Sequence, residues 1–322
     1  MTRVDYRQEL ARARRFARRL ARRDPSAPLP PDLPDGRLVS VAGRGEMFVR
    51  EDSGRPDGPT IALLHGWTAS ADLNWLRVYD TVPRLGRMIA MDHRGHGRGI
   101  RTEQRYTLED AADDVAALLR TLDAAPAILV GYSMGGPVAM LTWLRHPDVV
   151  SGLVLQATAL EWRATRRERA LWRFMAVVEY VMRLGTPKGL IERALRDMVD
   201  QSPDLEPWLG WLRGELRRGD PEALADAGRA LGTYDFRPHA LQVDVPTAVV
   251  VTTKDRLVRP KKQRELAAAI PLARTFELHG DHDAALVLGK EFPDVTDEAL
   301  RWVIGEGAAI AQDERRTAGW GR

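Results

Sequence analysis

A serine between two glycines is the first candidate for chemistry in this chain. Gly131 and Gly135 bracket Ser133, directly after the apolar run Ala127 to Val130. The run is typical of a buried strand and residues 134–145 of a helix, so Ser133 is expected at the sharp turn between them. A side chain at either glycine would clash in such a turn. The pattern predicts a nucleophile elbow that pushes the hydroxyl outward.

The chain also contains the partners that a serine nucleophile requires. A serine hydroxyl is a weak nucleophile, and it needs a histidine base, an acid that orients the base, and donors for the developing oxyanion. Asp255 follows the predicted strand 247–252, and His282 follows the predicted strand 274–278. Because the carboxyl ends of parallel strands form one crevice, both side chains are expected near the elbow.

Other residues could fill the same roles. His279, three residues before His282, is an alternative base, and Glu161 is an alternative acid. Asp281 and Asp283 flank the histidine closely in sequence and are expected to be solvated or to set local turns.

Two histidine patterns invite comparison with metal sites, at residues 92–96 and 279–283. Neither has the ligand spacing of a known metal motif, and no cysteine assists. The glycines at 95, 97 and 99 do not continue as Gly-x-Gly-x-x-Gly, because position 100 is Ile. The sequence therefore predicts neither a metal site nor a cofactor site.

These candidates depend on strands that end where the candidates begin. Short apolar runs alternate with helical patterns, which favours a mostly parallel sheet with helices on both faces and an α/β fold class. The predicted strands are two within 37–50, then 60–64, 88–91, 127–130, 152–155, 247–252 and 274–278. The predicted helices are 73–82, 107–122, 134–145, 261–269 and 297–303.

The alternation stops between residues 157 and 240, where only helical stretches occur. This segment carries four of the nine tryptophans, Trp162, Trp172, Trp208 and Trp211. We interpret it as an inserted helical cap whose aromatic residues mostly form its own core, with a minority lining a substrate pocket. The predicted organisation is an N-terminal arm at 1–36, core at 37–156, cap at 157–240, and core at 241–322 with a frayed tail from 306.

Composition excludes several classes of protein. The 322 residues are 44% hydrophobic and 29% charged, as in soluble globular proteins, and no apolar run approaches the roughly 20 residues of a membrane span. No secretory signal is visible, so a cytoplasmic location is expected. The absence of cysteine excludes disulfides, thiolate metal sites and cysteine nucleophiles.

The N-terminal arm carries the basic charge of the chain. Its first 23 residues contain nine arginines and two acidic residues, whereas the net charge of the whole chain is +3. The remainder is therefore net negative, and no nucleic-acid partner is predicted. Residues 4–23 fit a basic amphipathic helix, followed by a proline-rich linker. Two interpretations stay open: contact with a membrane surface or acidic partner, and packing on this protein or a neighbour.

Five motifs together resemble the alpha/beta-hydrolase-fold serine hydrolases of the capped esterase, lipase and haloperoxidase-like type. The motifs are Leu-Leu-His-Gly-Trp, Asp-His-Arg-Gly-His-Gly, Gly-Tyr-Ser-Met-Gly-Gly, Lys-Asp-Arg-Leu-Val and Gly-Asp-His, in family order across roughly residues 37–305. The order Ser, Asp, His along the chain is that of this family.

The resemblance implies a role for each candidate residue. Ser133 would be the nucleophile, His282 the general base and then acid, and Asp255 the orienting carboxylate. The backbone N–H groups of Trp67 and Met134 would bind the oxyanion. The family's Gly-x-His pattern favours His282 over His279 as the base. The supporting residues would be His65, which holds the oxyanion loop, with Gly66, Gly131 and Gly135.

The expected activity is two-step hydrolysis of a small-molecule ester with an apolar acyl or ring-bearing group. A serine at the elbow argues against haloalkane dehalogenase and epoxide hydrolase activity, because relatives with those activities use aspartate there. A cofactor-free perhydrolase, a thioesterase and a carbon–carbon bond hydrolase share the same triad and stay open. A ligand-binding or membrane-associated protein with low turnover is the alternative from another class.

Overall fold

The computed structural model describes residues 28, 30–162 and 188–317. Eight strands form one sheet: β1 (Gly36–Val41), β2 (Gly45–Asp52), β3 (Thr60–Leu64), β4 (Arg87–Met91), β5 (Ala127–Tyr132), β6 (Val150–Gln156), β7 (Thr247–Thr252) and β8 (Ala273–Leu278). Their order is β1-β2-β4-β3-β5-β6-β7-β8, antiparallel where β2 pairs with β1 and β4 and parallel elsewhere. The predicted α/β class is confirmed.

Helices cover both faces of this sheet. Before β7 they are α1 (Ala71–Trp75), α2 (Leu108–Thr121), α3 (Gly135–Arg145), α4 (Lys188–Gln201), α5 (Leu209–Leu216) and α6 (Pro221–Thr233). After β7 they are α7 (Pro260–Ala269), α8 (Ala284–Val287), α9 (Glu291–Trp302) and α10 (Ala308–Thr317). No helix among the described residues has both the length and the apolar composition needed to cross a bilayer.

The central strands are buried on both faces, as their continuous apolar runs predict. In β5, Leu129 belongs to one hydrophobic cluster, whereas Ile128 and Val130 belong to another on the opposite face. Every residue of β5 is buried. Ser133 follows directly at the carboxyl end of this fully buried strand.

Between residues 188 and 233 the predicted cap segment consists of helices joined by short connections at residue 202 and residues 217–220. Its helices α4 and α5 contribute Leu195 and Leu212 to an apolar cluster that also contains Leu73 and Leu286 from the sheet-bearing part. Residues 163–187 and the predicted amphipathic helix at 4–23 lie outside the described residues.

Three predicted elements need correction. The helix predicted at 73–82 is only α1, followed by turns and a short 3₁₀ helix that begins at Val82, where Pro83 occupies a first-turn position. The helix predicted at 297–303 begins at Glu291. The frayed tail predicted from 306 is wrong as far as residue 317, because α10 forms there and buries Ala311.

Candidate active site

Ser133 lies at the sharp turn between β5 and α3. Its φ is +52°, a left-handed conformation that non-glycine residues adopt at a cost. The turn is stabilised by two hydrogen bonds: Ser133 N–H donates to the Gln156 carbonyl at 2.9 Å, and Gly136 N–H donates to the Ser133 carbonyl at 3.0 Å. A Cβ at Gly131 would lie 2.3 Å from the Gly135 carbonyl oxygen, so the close approach requires glycine.

His282 lies in the loop between β8 and α8 and contacts both other candidate residues. Its Nε2 is 2.9 Å from Ser133 Oγ, and its Nδ1 is 2.8 Å from Asp255 Oδ2. A carboxylate can only accept hydrogen bonds, so we assign the imidazole proton to Nδ1. Nε2 then presents its lone pair to the serine hydroxyl, which is the arrangement a general base needs.

Asp255 accepts hydrogen bonds at both of its carboxyl oxygens. Its Oδ1 accepts the backbone N–H groups of Leu257 at 2.9 Å and Val258 at 2.8 Å. Its Oδ2 accepts Thr252 Oγ1 at 2.8 Å and Gln263 Nε2 at 3.3 Å. The side chain is fully buried, and these bonds replace the lost hydration. They also fix the oxygen that His282 contacts.

The loop around His282 is anchored on both sides. Tyr132 Oη donates to the His282 carbonyl at 2.8 Å, and Asp281 Oδ1 accepts the His282 backbone N–H at 2.8 Å. Asp281 also accepts the backbone N–H of Arg256, so it sets the local turn as expected. Asp283 instead accepts Gln201 of α4 at 2.9 Å.

The turn that follows β3 lies against the elbow. A Cβ at Gly66 would be 3.2 Å from the Ser133 Cβ, and the Gly66 N–H donates to Asn74 Oδ1 at 2.9 Å. The backbone N–H groups of Trp67 and Met134 donate to no acceptor among the described residues. These two donors therefore remain available close to the serine.

Three buried histidines support this turn. His65 Nδ1 is 2.8 Å from the Gly66 carbonyl oxygen, and His65 Nε2 accepts the His93 backbone N–H at 2.9 Å. The His65 ring also packs on His93 and His96, at centroid distances of 4.4 and 5.4 Å. Burial lowers the pKa of His65 to about 4 and that of His96 to about 3, so both are neutral near pH 7. Within the described residues, no three His, Cys, Asp or Glu side chains are grouped to hold a metal ion.

The alternative base and acid lie elsewhere. His279 is exposed, and its Nδ1 is 3.2 Å from Thr253 Oγ1. Glu161 forms an ion pair with Lys262 at 3.0 Å. The structure therefore brings together Ser133, Asp255 and His282, and it separates the other two candidates from them.

Sequence reasoning missed the side-chain contacts of four residues near this site. Asn74 and Tyr132 bind the turns beside Ser133, Gln263 binds Asp255, and the indole of Trp67 reaches α6. Only Gln263 has a sequence signal. It lies three residues before Leu266, on the buried side of a helix that is otherwise largely polar.

Comparison with known proteins identifies the family. A family model described as alpha/beta hydrolase fold matches residues 59–189. The chain is 31% identical to a pimeloyl-[acyl-carrier protein] methyl ester esterase of Neisseria meningitidis over 66% of this chain and 82% of that protein. It is 28% identical to a 2-(acetamidomethylene)succinate hydrolase of Mesorhizobium japonicum, over 82% and 93%.

A solved structure of a related enzyme supports the same family assignment. The enol-lactonase of Burkholderia xenovorans LB400 superposes with a TM-score of 0.71 at 27% identity, covering 82% of this chain and all of that one. The resemblance drawn from the five motifs is confirmed, and the chain belongs to the alpha/beta hydrolase fold family of hydrolytic enzymes.

Proposed function

We propose that the protein hydrolyses carboxylic esters through an acyl-enzyme formed on Ser133. One observation carries the proposal: the hydrogen-bonded series from Ser133 Oγ through the His282 ring to Asp255, with both steps below 3 Å. A serine hydroxyl is a useful nucleophile only where a base accepts its proton during attack, and this series supplies that base. The esterase relative supports the reaction class.

In the first step, Ser133 Oγ attacks the ester carbonyl carbon while its proton passes to His282 Nε2. The carbonyl oxygen becomes an oxyanion, and the free backbone N–H groups of Trp67 and Met134 stabilise it. The imidazolium is stabilised by Asp255. It then donates its proton to the alcohol oxygen as the carbon–oxygen bond breaks, which leaves the acyl group on the serine.

In the second step, water attacks the acyl carbon. His282 accepts a proton from the water and later returns it to Ser133 Oγ, so the carboxylic acid leaves and the enzyme is restored. The imidazole therefore acts as base and then as acid in each half of the cycle. Its position, with Nδ1 bound and Nε2 facing the hydroxyl, suits both roles.

An apolar cluster next to the His282 loop supports our extension of the proposal to an apolar acyl or small ring-bearing substrate. Helix α8 begins two residues after His282 and carries Leu286, which packs with Leu195 and Leu212 of the inserted helices. We extend the proposal to these helices: residues 157–240 would act as a cap that covers the crevice. Exclusion of water by such a cover would strengthen the polar contacts to the oxyanion.

The proposal is tested by labelling with a fluorophosphonate probe, followed by assays with p-nitrophenyl esters of increasing acyl length. Wild-type protein should be labelled at Ser133, and it should hydrolyse butyrate or hexanoate faster than acetate. Ser133→Ala should lose labelling and turnover. Ser40→Ala, at an exposed position of β1, is the matched control and should keep both.

Two results would overturn the proposal. One is hydrolysis by Ser133→Ala at the wild-type rate. The other is wild-type protein that binds esters but is neither labelled nor active, which would favour a ligand-binding protein with a misaligned triad.

A further inference from the structure

Trp67 belongs to two parts of the molecule at once. Its backbone lies in the turn after β3, beside the elbow, whereas its side chain reaches the inserted helix α6. The indole Nε1 donates to the Leu224 carbonyl at 2.7 Å, although the two residues are 157 positions apart. A single side chain thus joins the turn next to Ser133 to the insertion.

The fit between the indole and α6 is close. A Cβ at Gly228, one turn after Leu224, would lie 2.7 Å from Trp67 Cζ2. Real Cβ contacts are longer than this, so the ring occupies the space that any larger residue would need. The helix and the ring therefore share one well-defined arrangement.

Helix α6 is itself fixed to the sheet-bearing part. The Asp220 side chain caps the first turn by accepting the N–H groups of Glu222 and Ala223. The Asp220 backbone N–H donates to the Gly95 carbonyl at 2.7 Å, in the loop after β4. The carbonyl that receives the indole thus has a defined position relative to the sheet.

The turn needs such support because its backbone is strained. Thr68, directly after Trp67, has a φ of +62°, a conformation that a β-branched residue adopts only when its surroundings require it. Asn74 holds the turn at Gly66, on the sheet side. The indole contact is the corresponding anchor from the α6 side.

We propose that Trp67 is a positioning residue, and that helix α6 sets the place of the Trp67 backbone N–H beside Ser133 through the indole N–H. This inference rests on the proposed function, because the N–H matters as an oxyanion donor. Loss of the indole contact releases the turn toward a relaxed φ at Thr68 and moves the donor. The transition state loses stabilisation, whereas the bound ester, with little charge on its oxygen, is affected less.

Two variants test this from opposite ends of the contact. Trp67→Phe keeps a ring but removes the donor. Gly228→Ala leaves the sequence of the turn unchanged and displaces the indole with a methyl group, and the Gly to Ala change inside a helix by itself ordinarily favours folding. Gly214→Ala in α5 is the matched control, because a Cβ there meets nothing within 4 Å.

We expect kcat to fall about 10- to 100-fold in Trp67→Phe, below the loss for deleting a whole oxyanion donor. We expect it to fall at least about fivefold in Gly228→Ala, measured at a temperature where the variant is fully folded, with KM within about twofold in both. Affinity for a trifluoromethyl ketone, which forms a tetrahedral adduct on the serine, should fall by the same factor as kcat. Gly214→Ala should match wild type in every measurement.

The outcomes separate the two proposals. If wild type is labelled and active but both test variants keep wild-type kcat, the inference is wrong and the proposed function stands. The inference is also wrong if kcat falls only in proportion to a loss of folded protein. If wild type is neither labelled nor active, the proposed function fails and the inference fails with it.

Discussion

Two groups of histidines lie at the carboxyl ends of strands in the same sheet, and they differ in almost every physical respect. His282 follows β8, has a side chain about one-fifth exposed, and contacts a carboxylate and a hydroxyl. His65, His93 and His96 follow β3 and β4 and are completely buried. The rings of His65 and His96 hydrogen-bond only to backbone groups, and the ring nitrogens of His93 have no partner among the described residues. All four residues are histidines at the carboxyl ends of strands, but the groups around their rings differ.

The difference shows what makes an imidazole an acid–base group. Burial without a charged partner lowers the pKa of a histidine, because the protonated form loses its hydration. The three buried rings are therefore neutral supports for the turn at Gly66. At His282, Asp255 can stabilise the protonated ring, and a reactive hydroxyl lies within reach.

The largest expected effect comes from removing the paired imidazole. His282→Gln should lower kcat/KM by about 10⁶-fold, because no other group can accept the serine proton. His279→Gln, in the same loop but exposed and hydrogen-bonded to Thr253, is the control and should stay near wild type. Ester hydrolysis by both purified variants measures this, and equal losses would remove the distinction between the two histidines.

A smaller effect is expected when only the orienting carboxylate changes. Asp255→Asn can present its amide N–H to His282 Nδ1, which moves the ring proton to Nε2 and blocks the base. The expected loss in kcat is about 10⁴-fold. Asp281→Asn is the matched control, because its amide oxygen can still accept the backbone N–H groups of Arg256 and His282, which both bind Oδ1, and only the exposed ion pair with the Arg256 side chain is lost. Similar losses in both variants would contradict the assignment.

The smallest expected effect is a change in the stability of the fold with pH, and it comes from the buried histidines. The pKa of His65 is about 4 in the folded protein against 6.5 for the free side chain, so the unfolded chain binds more protons between these values. The free energy of unfolding should therefore fall as the pH decreases below 6.5. His65 alone contributes about 2 kcal/mol of this loss between pH 7 and pH 5.

Urea unfolding at pH 5 and pH 7 measures this contribution. His65→Gln can keep the bonds to the Gly66 carbonyl and the His93 N–H but cannot titrate, so its stability should depend less on pH. An unchanged pH dependence in His65→Gln would mean that the buried ring is not the group responsible.

Much of the fold could be predicted from local patterns of apolar residues in the sequence. The strands 60–64 and 247–252 have their predicted bounds, because continuous apolar runs between turn residues leave few alternatives. The α/β class followed from alternation. The start of α9 at Glu291 was predicted less accurately, because Pro293 ordinarily breaks a helical pattern and is tolerated here only in the first turn.

The sequence by itself determined the residue types available for chemistry and their order along the chain, with Ser133, Asp255 and His282 each after a predicted strand. Only the tertiary structure decided which histidine meets the serine, which histidines are buried and neutral, and that Trp67 reaches α6. These outcomes depend on contacts between residues up to 157 positions apart. Local periodicity carries no information on such distances, because packing of the whole sheet brings the partners together.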